Sequence, residues 1–208
     1  MADNRTYVLG VSGGMGSGKS SVCRILEELG AQVVDADEIS HTVTEGGRPA
    51  VYEIAIAFGD RFVDMYGRLN RPLLAKHVFG NRERLDKLEA IVHRYVVEEM
   101  VSRVAEFRRR GCGVMVLDVP IPVEHGFLDQ VDGVWIVDAD TETRIQRVMK
   151  RNDISREDAE SRIASQLSRE EYLALADRVI NNDGSEMTLR QTVCREAQTL
   201  WDTNLCEQ

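Results

Sequence analysis

A chain of 208 residues is long enough to bury a real core and short enough for one compact domain. Its 43% hydrophobic and 29% charged content is that of an ordinary globular protein, and no apolar run approaches a membrane span. A formal net charge of −9 supplies no basic field for nucleic acid or an anionic membrane, so neither is expected as a partner.

In chain order, Tyr7-Val8-Leu9-Gly10-Val11 has the pattern of a buried strand and follows Met1 too closely for a leader peptide, so a cytoplasmic protein is expected. The stretch GGMGSGKSS, Gly13 to Ser21, comes next, and Val22, Ile25, Leu26 and Leu29 then recur at the spacing of a helix with one apolar face. Strand, glycine-rich turn and helix N-terminus form the context of a phosphate-binding loop. Gly13, Gly14, Gly16 and Gly18 let successive N–H groups converge on an anion. The helix starting near Lys19 adds its unsatisfied N–H groups. Lys19 reaches the β- and γ-phosphates, and the Ser20 hydroxyl suits Mg²⁺. A serine-capped turn accounts for the glycines but not for the lysine, in a chain with 4 lysines against 22 arginines.

Ala31 to Asp35 predicts a second strand, followed by helical sequence through the forties and fifties. In VVDADEIS, Asp35 and Asp37 share a face if the chain stays extended. Either can cap a helix beginning near Glu38, and either can orient a hydroxyl and accept its proton. Residues 84–107 predict a long amphipathic helix. Gly113 to Asp118 and Val134 to Asp138 predict apolar strands ending in carboxylates, and Arg178 to Ile180 a short last one. Asp118 can hold Mg²⁺ directly or through water, or simply close the strand, before Pro120 and Pro122 force an extended turn. Asp138 or Asp140 can cap a helix carrying Arg144, Arg147 and Arg151, and Ser155 starts a second helix bearing Arg162 and Gln166. These arginines suit either a solvated surface or a lid over nucleotide phosphates. Cys23, Cys112, Cys194 and Cys206 form no C-x-x-C pair, and four free thiols are expected, with no zinc site. Alternating strands and helices predict an α/β fold: a mainly parallel sheet with helices on both faces and ligands at the carboxyl ends of the strands.

The motifs GVSGGMGSGKSSV, VVDADEIS, NRPLLAKHVF, LEAIVH, LDVPIPVE, RVMKRN, RIASQ and ADRVINNDGS, in this order, resemble those of the dephospho-coenzyme A kinases, a P-loop family akin to the nucleoside monophosphate kinases. The resemblance implies a single P-loop kinase domain over 1–208, with a helical substrate region around 60–110 and a helical lid around 141–176. It implies transfer of the γ-phosphate of ATP, with Mg²⁺, to the ribose 3′-hydroxyl of dephospho-coenzyme A, with no obligate protein partner. By resemblance, ATP binding falls to Gly14, Gly16, Ser17, Gly18, Lys19, Ser20, Ser21, Arg151 and Asn182, and catalysis to Lys19, Asp37 and Arg147. Ser12, Asp35, Asp37, His93 and Asp118 fall on the substrate side, with Ser20 and Asp118 at the metal. The chain departs from the family at His93-Arg94, where His-Pro is usual, and at Ile121-Pro122, where an apolar pair is usual. Another small-molecule P-loop kinase, of nucleoside monophosphate or shikimate type, shares all but the substrate region. A nucleotide switch needs a guanine-reading N-K-x-D, and no Asn here precedes a Lys.

Overall fold

Apolar runs too short for a buried helix become strands, and the longer periodic stretches between them become helices. The computed structural model describes residues 5–119 and 127–204. The elements are β1 (Arg5–Ser12), α1 (Lys19–Glu28), β2 (Gln32–Asp35), α2 (Ala36–Val43), α3 (Pro49–Phe58), α4 (Arg71–Val78), α5 (Arg82–Arg110), β3 (Cys112–Asp118), β4 (Gly133–Asp138), α6 (Thr141–Asn152), α7 (Arg156–Ala164), α8 (Arg169–Ala174), β5 (Arg178–Asn181) and α9 (Glu186–Asn204). The Pro120–Pro122 turn and the Ile121-Pro122 departure lie outside the described residues.

The chain divides into two compact units, Met1–Asp35 with Val104–Gln208, and Ala36–Arg103. The first holds one five-stranded sheet in the order β2-β3-β1-β4-β5, with every pairing parallel. Along β4, Trp135 and Val137 face one way and Val134 and Ile136 the other, as a period of two requires. The former join Leu9, Val11, Val114, Val116 and Ile180 beneath α1 (Val22, Ile25, Leu26) and α9 (Leu189, Val193). The latter pack against Tyr172 of α8. Helices therefore cover both faces, and polar side chains gather at the sheet's carboxyl edge, where Asp35 and Asp118 are register partners.

The second unit is helical, with Ile54, Phe62, Leu74, Val78 and Ile91 forming its core. The region expected to be helical through the fifties is two helices, because Pro49 starts α3 afresh. Arg94, where the family has proline, sits inside the 29-residue α5. A backbone N–H is available at that position, which a proline would remove. Its guanidinium stacks 4.8 Å over Tyr95 and pairs with Glu53, whose carboxylate also accepts from Tyr95 at 3.0 Å.

Two expectations are corrected. Cys23 and Cys194 are free thiols, but Cys112 is disulfide-bonded, so the four cysteines are not all free. Asp35 and Asp37 do not share an extended face, because α2 begins at Ala36, directly after β2. Asp35 thus precedes the helix, as a cap does, and Asp37 lies in its first turn.

Candidate active site

The loop after β1 ends on Gly18, which takes φ 92° and precedes α1 without any side-chain cap. That left-handed angle favours glycine, and a Cβ here would also come within 2.0 Å of Asn182 Nδ2. The first N–H groups of α1 are consequently left for an outside acceptor, at the positive end of the helix dipole.

What shapes the loop is a set of donors gripping its carbonyls. Met15 O accepts from Arg144 Nε at 3.0 Å. Gly16 O and Ser17 O each accept from Arg147 Nη1 at 3.3 Å. Ser17 O also accepts from Asn182 Nδ2 at 2.7 Å, and Arg147 Nη2 reaches Asn182 O at 2.9 Å. Two residues expected on the nucleotide, Arg147 and Asn182, therefore make their hydrogen bonds to the loop itself. Arg151, expected beside them, is exposed and donates to Asn152 Oδ1 at 3.3 Å.

Arg144 is 6% exposed, and its guanidinium lies so close to Gly14 that a Cβ there would meet Nη2 at 2.3 Å. Burial lowers its pKa, and the neighbouring Asp138 opposes that shift. Asp138 itself, a strand-end candidate from the sequence, is held by Arg169 Nη2 at 2.6 Å and Nε at 2.9 Å. It anchors the start of α8.

Lys19, at the first turn of α1, pairs through Nζ with Asp118 Oδ1 at the end of β3. The loop's cation and the carboxylate expected at the metal thus lie together, with Asp35 opposite Asp118 on the neighbouring strand. The Cys23 thiol lies against the same carboxylate. Burial, then the Asp118 charge, pushes its pKa far above the ordinary thiol value, so it stays protonated.

Ser12 is fully buried at the end of β1. Ser20 is exposed and Ser21 half-buried, both in the first turn of α1. Asp37 in α2 and the exposed His93 in α5 belong to the second unit. Among the described residues no cluster of three His, Cys, Asp or Glu side chains could cage a metal. The donor types expected at the metal, the Ser20 hydroxyl and the Asp118 carboxylate, are ones that Mg²⁺ takes, since it commonly binds one or two carboxylates and completes its shell with substrate phosphates and water.

Residues 7–188 match the family model described as dephospho-CoA kinase. A Bacillus cereus protein named dephospho-CoA kinase is 42% identical over 182 residues, 88% of this chain and 91% of its own. One of the same name from Carboxydothermus hydrogenoformans is 39% identical over 186 residues, 89% of this chain and 90% of its own. A Thermus thermophilus protein of solved structure superposes with a TM-score of 0.71 at 31% identity, covering 94% of this chain and 98% of that one.

Proposed function

Since the chain belongs to the dephospho-coenzyme A kinase family, we propose that it moves the γ-phosphoryl group of ATP to the ribose 3′-hydroxyl of dephospho-coenzyme A through the site built on the Gly13–Ser21 loop. The chain is a phosphotransferase with an alcohol acceptor, acting at the last step of coenzyme A formation. The observation that carries the site assignment is the meeting of Lys19 with Asp118 beside a loop whose Met15, Gly16 and Ser17 carbonyls are already taken.

Phosphoryl transfer passes through a loose transition state, so the protein's contribution is positioning and charge. The N–H groups of Gly16, Gly18, Lys19 and Ser20 receive the β- and γ-phosphates, and Lys19 exchanges its carboxylate partner for them. Asp37, two residues past β2, orients the 3′-hydroxyl and takes its proton as the new P–O bond forms. The bond from phosphorus to the β,γ-bridging oxygen breaks, and ADP leaves. Arg147 and Asn182 keep the loop in register throughout. Ser20 and Asp118 would hold Mg²⁺, which would neutralise charge on the phosphates. We assign acceptor binding to the helical region 60–110, with Ser12, Asp35 and His93, and water exclusion to 141–176. No described helix is long and apolar enough to cross a membrane, and we place the enzyme in the cytoplasm.

The test is ADP release with dephospho-coenzyme A, shikimate and nucleoside monophosphates as separate acceptors. Turnover is expected with the first alone. ADP release with shikimate or a nucleoside monophosphate and none with dephospho-coenzyme A overturns the substrate assignment while keeping the loop.

A further inference from the structure

Met15, midway along the loop, is held on three sides by the hairpin α6–α7. Its N–H donates to Gln166 Oε1 at 2.6 Å. Its carbonyl accepts from Arg144 Nε at 3.0 Å. Its side chain packs on the cluster of Ile145, Val148 and Ala159, beside Ile163. Gln166 is itself fixed to the end of α7, where its own N–H donates to Ile163 O at 3.2 Å. Residues 151 positions apart in sequence are thus joined through one peptide of the nucleotide loop.

Nothing in phosphate chemistry requires this. A phosphate loop works by converging N–H groups on an anion, yet the Met15 N–H is committed to a side-chain amide. A loop with glycines at 13, 14, 16 and 18 has much conformational freedom to lose when nucleotide binds. Any contact that removes this freedom beforehand strengthens binding without touching the ligand. Arg144 is one jaw of the clamp, buried and wedged against Gly14. Gln166 is the other. It lies just past the end of α7, and the packing of α7 on α6 rests on a small cluster and on the exposed Arg156–Glu142 pair.

We propose that Gln166 is a positioning residue: by accepting the Met15 N–H it holds the loop in its phosphate-binding form, so that nucleotide binding and docking of the α7 end on the loop are one coupled equilibrium. The inference rests on the reading of Gly13–Ser21 as the nucleotide loop. Coupling is reciprocal, so a nucleotide that favours the formed loop also tightens α7.

The experiment uses the full chain with Gln166→Ala. ADP affinity is measured by calorimetry, the KM for dephospho-coenzyme A by steady-state kinetics, and amide exchange with and without ADP. Loss of one hydrogen bond is expected to raise the ADP Kd by about three- to tenfold, with the acceptor KM unchanged within about twofold. The Met15 amide should exchange faster, and the slowing of 156–166 by ADP, present in the parent chain, should disappear. A purely structural role would lower the Tm and leave the ADP Kd alone, and that result overturns the proposal. So does a rise in the acceptor KM equal to that in the ADP Kd, or ADP protection of 156–166 that survives the substitution. Because ADP binding needs no acceptor, a wrong acceptor assignment shows separately, as absent turnover with ADP binding intact.

Discussion

Lys19→Ala tests two things at once, because Lys19 serves the phosphates in the reaction and Asp118 in the structure. Lys19 and Asp118 side chains are 17% and 9% exposed, so the pair is largely shielded from water. Removing one partner of a fully buried pair costs about 3–5 kcal/mol, and the partial exposure of Lys19 reduces this to about 1–3 kcal/mol. The loss is sharpened by Asp35, the register partner of Asp118, since two carboxylates on adjacent strands then face each other with less compensation. At about 2–4 °C per kcal/mol for a domain of this size, the Tm should fall by about 2–12 °C. Turnover should fall further than stability explains, by about 10²–10³, the usual scale for losing a preorganised electrostatic contact to the transition state.

Thermal melts and ADP release on Lys19→Ala, Asp118→Asn and the double variant separate the two roles. Neutralising Asp118 removes the uncompensated charge, so the double variant should melt above Lys19→Ala while remaining inactive. A folded Lys19→Ala with near-normal turnover would remove the phosphate-loop assignment. Strictly additive Tm changes would show that the Lys19–Asp118 pair has no energetic weight.

Asp37→Asn should depress turnover by about 10²–10⁴ with ATP still bound, and Asp35→Asn by less. The reverse order in steady-state kinetics would exchange their roles. Arg147→Ala should weaken ADP binding and lower the Tm together, because its donors hold the Gly16, Ser17 and Asn182 carbonyls. Arg151→Ala should leave the Tm unchanged, and equally unchanged turnover would withdraw Arg151 from the nucleotide site. Hydrogen bonds from Arg156 hold the Glu142 pKa down to about 2. That pair therefore contributes fully above the ordinary carboxylate range near 4.5 and is lost as pH falls through about 2. An NMR titration should find Glu142 near 2, returning toward 4.5 in Arg156→Ala; a parent-chain value already near 4.5 would show that the Arg156–Glu142 pair adds nothing to the α6–α7 packing.

Much of the fold was legible because its signals are local. Gly113 to Asp118 and Val134 to Asp138 are apolar runs whose side chains must be buried on both faces, and a parallel sheet is where such runs fit. Helix starts were legible for the same reason: Asp140 caps α6 through Thr143 N at 2.9 Å, and Ser155 caps α7 through Asp158 N at 3.1 Å. The full reciprocal capping box lies one helix later, at Ser168 and Glu171. The disulfide at Cys112 was not legible, because bonding depends on which cysteines the fold brings together and no sequence spacing marked it. The start of α2 at Ala36 is not legible, because Ala36 carries no signal of its own and the aspartates on either side both suit a cap.

The site divides along the same line, between what a residue type announces and what only a folded chain can aim. Lysine after glycine announces an anion, and aspartate at a strand end announces charge at the sheet's mouth; both were readable. An arginine on an amphipathic helix announces nothing about its target. Arg144, Arg147 and Arg151 look alike in sequence, spaced as one stripe. In the structure the first is buried against Gly14, the second is spread over three loop and strand-end carbonyls, and the third donates to its chain neighbour. Their difference comes from the rotation of α6 relative to the loop, set by Ile145 and Val148 facing inward. Gln166 is harder still, since its partner is a backbone N–H, and a backbone N–H has no sequence. The glycines carry the other half of that information. Gly14 is required by a guanidinium and Gly18 by an amide, so the loop's composition records the donors that press on it from outside as much as the phosphates it receives.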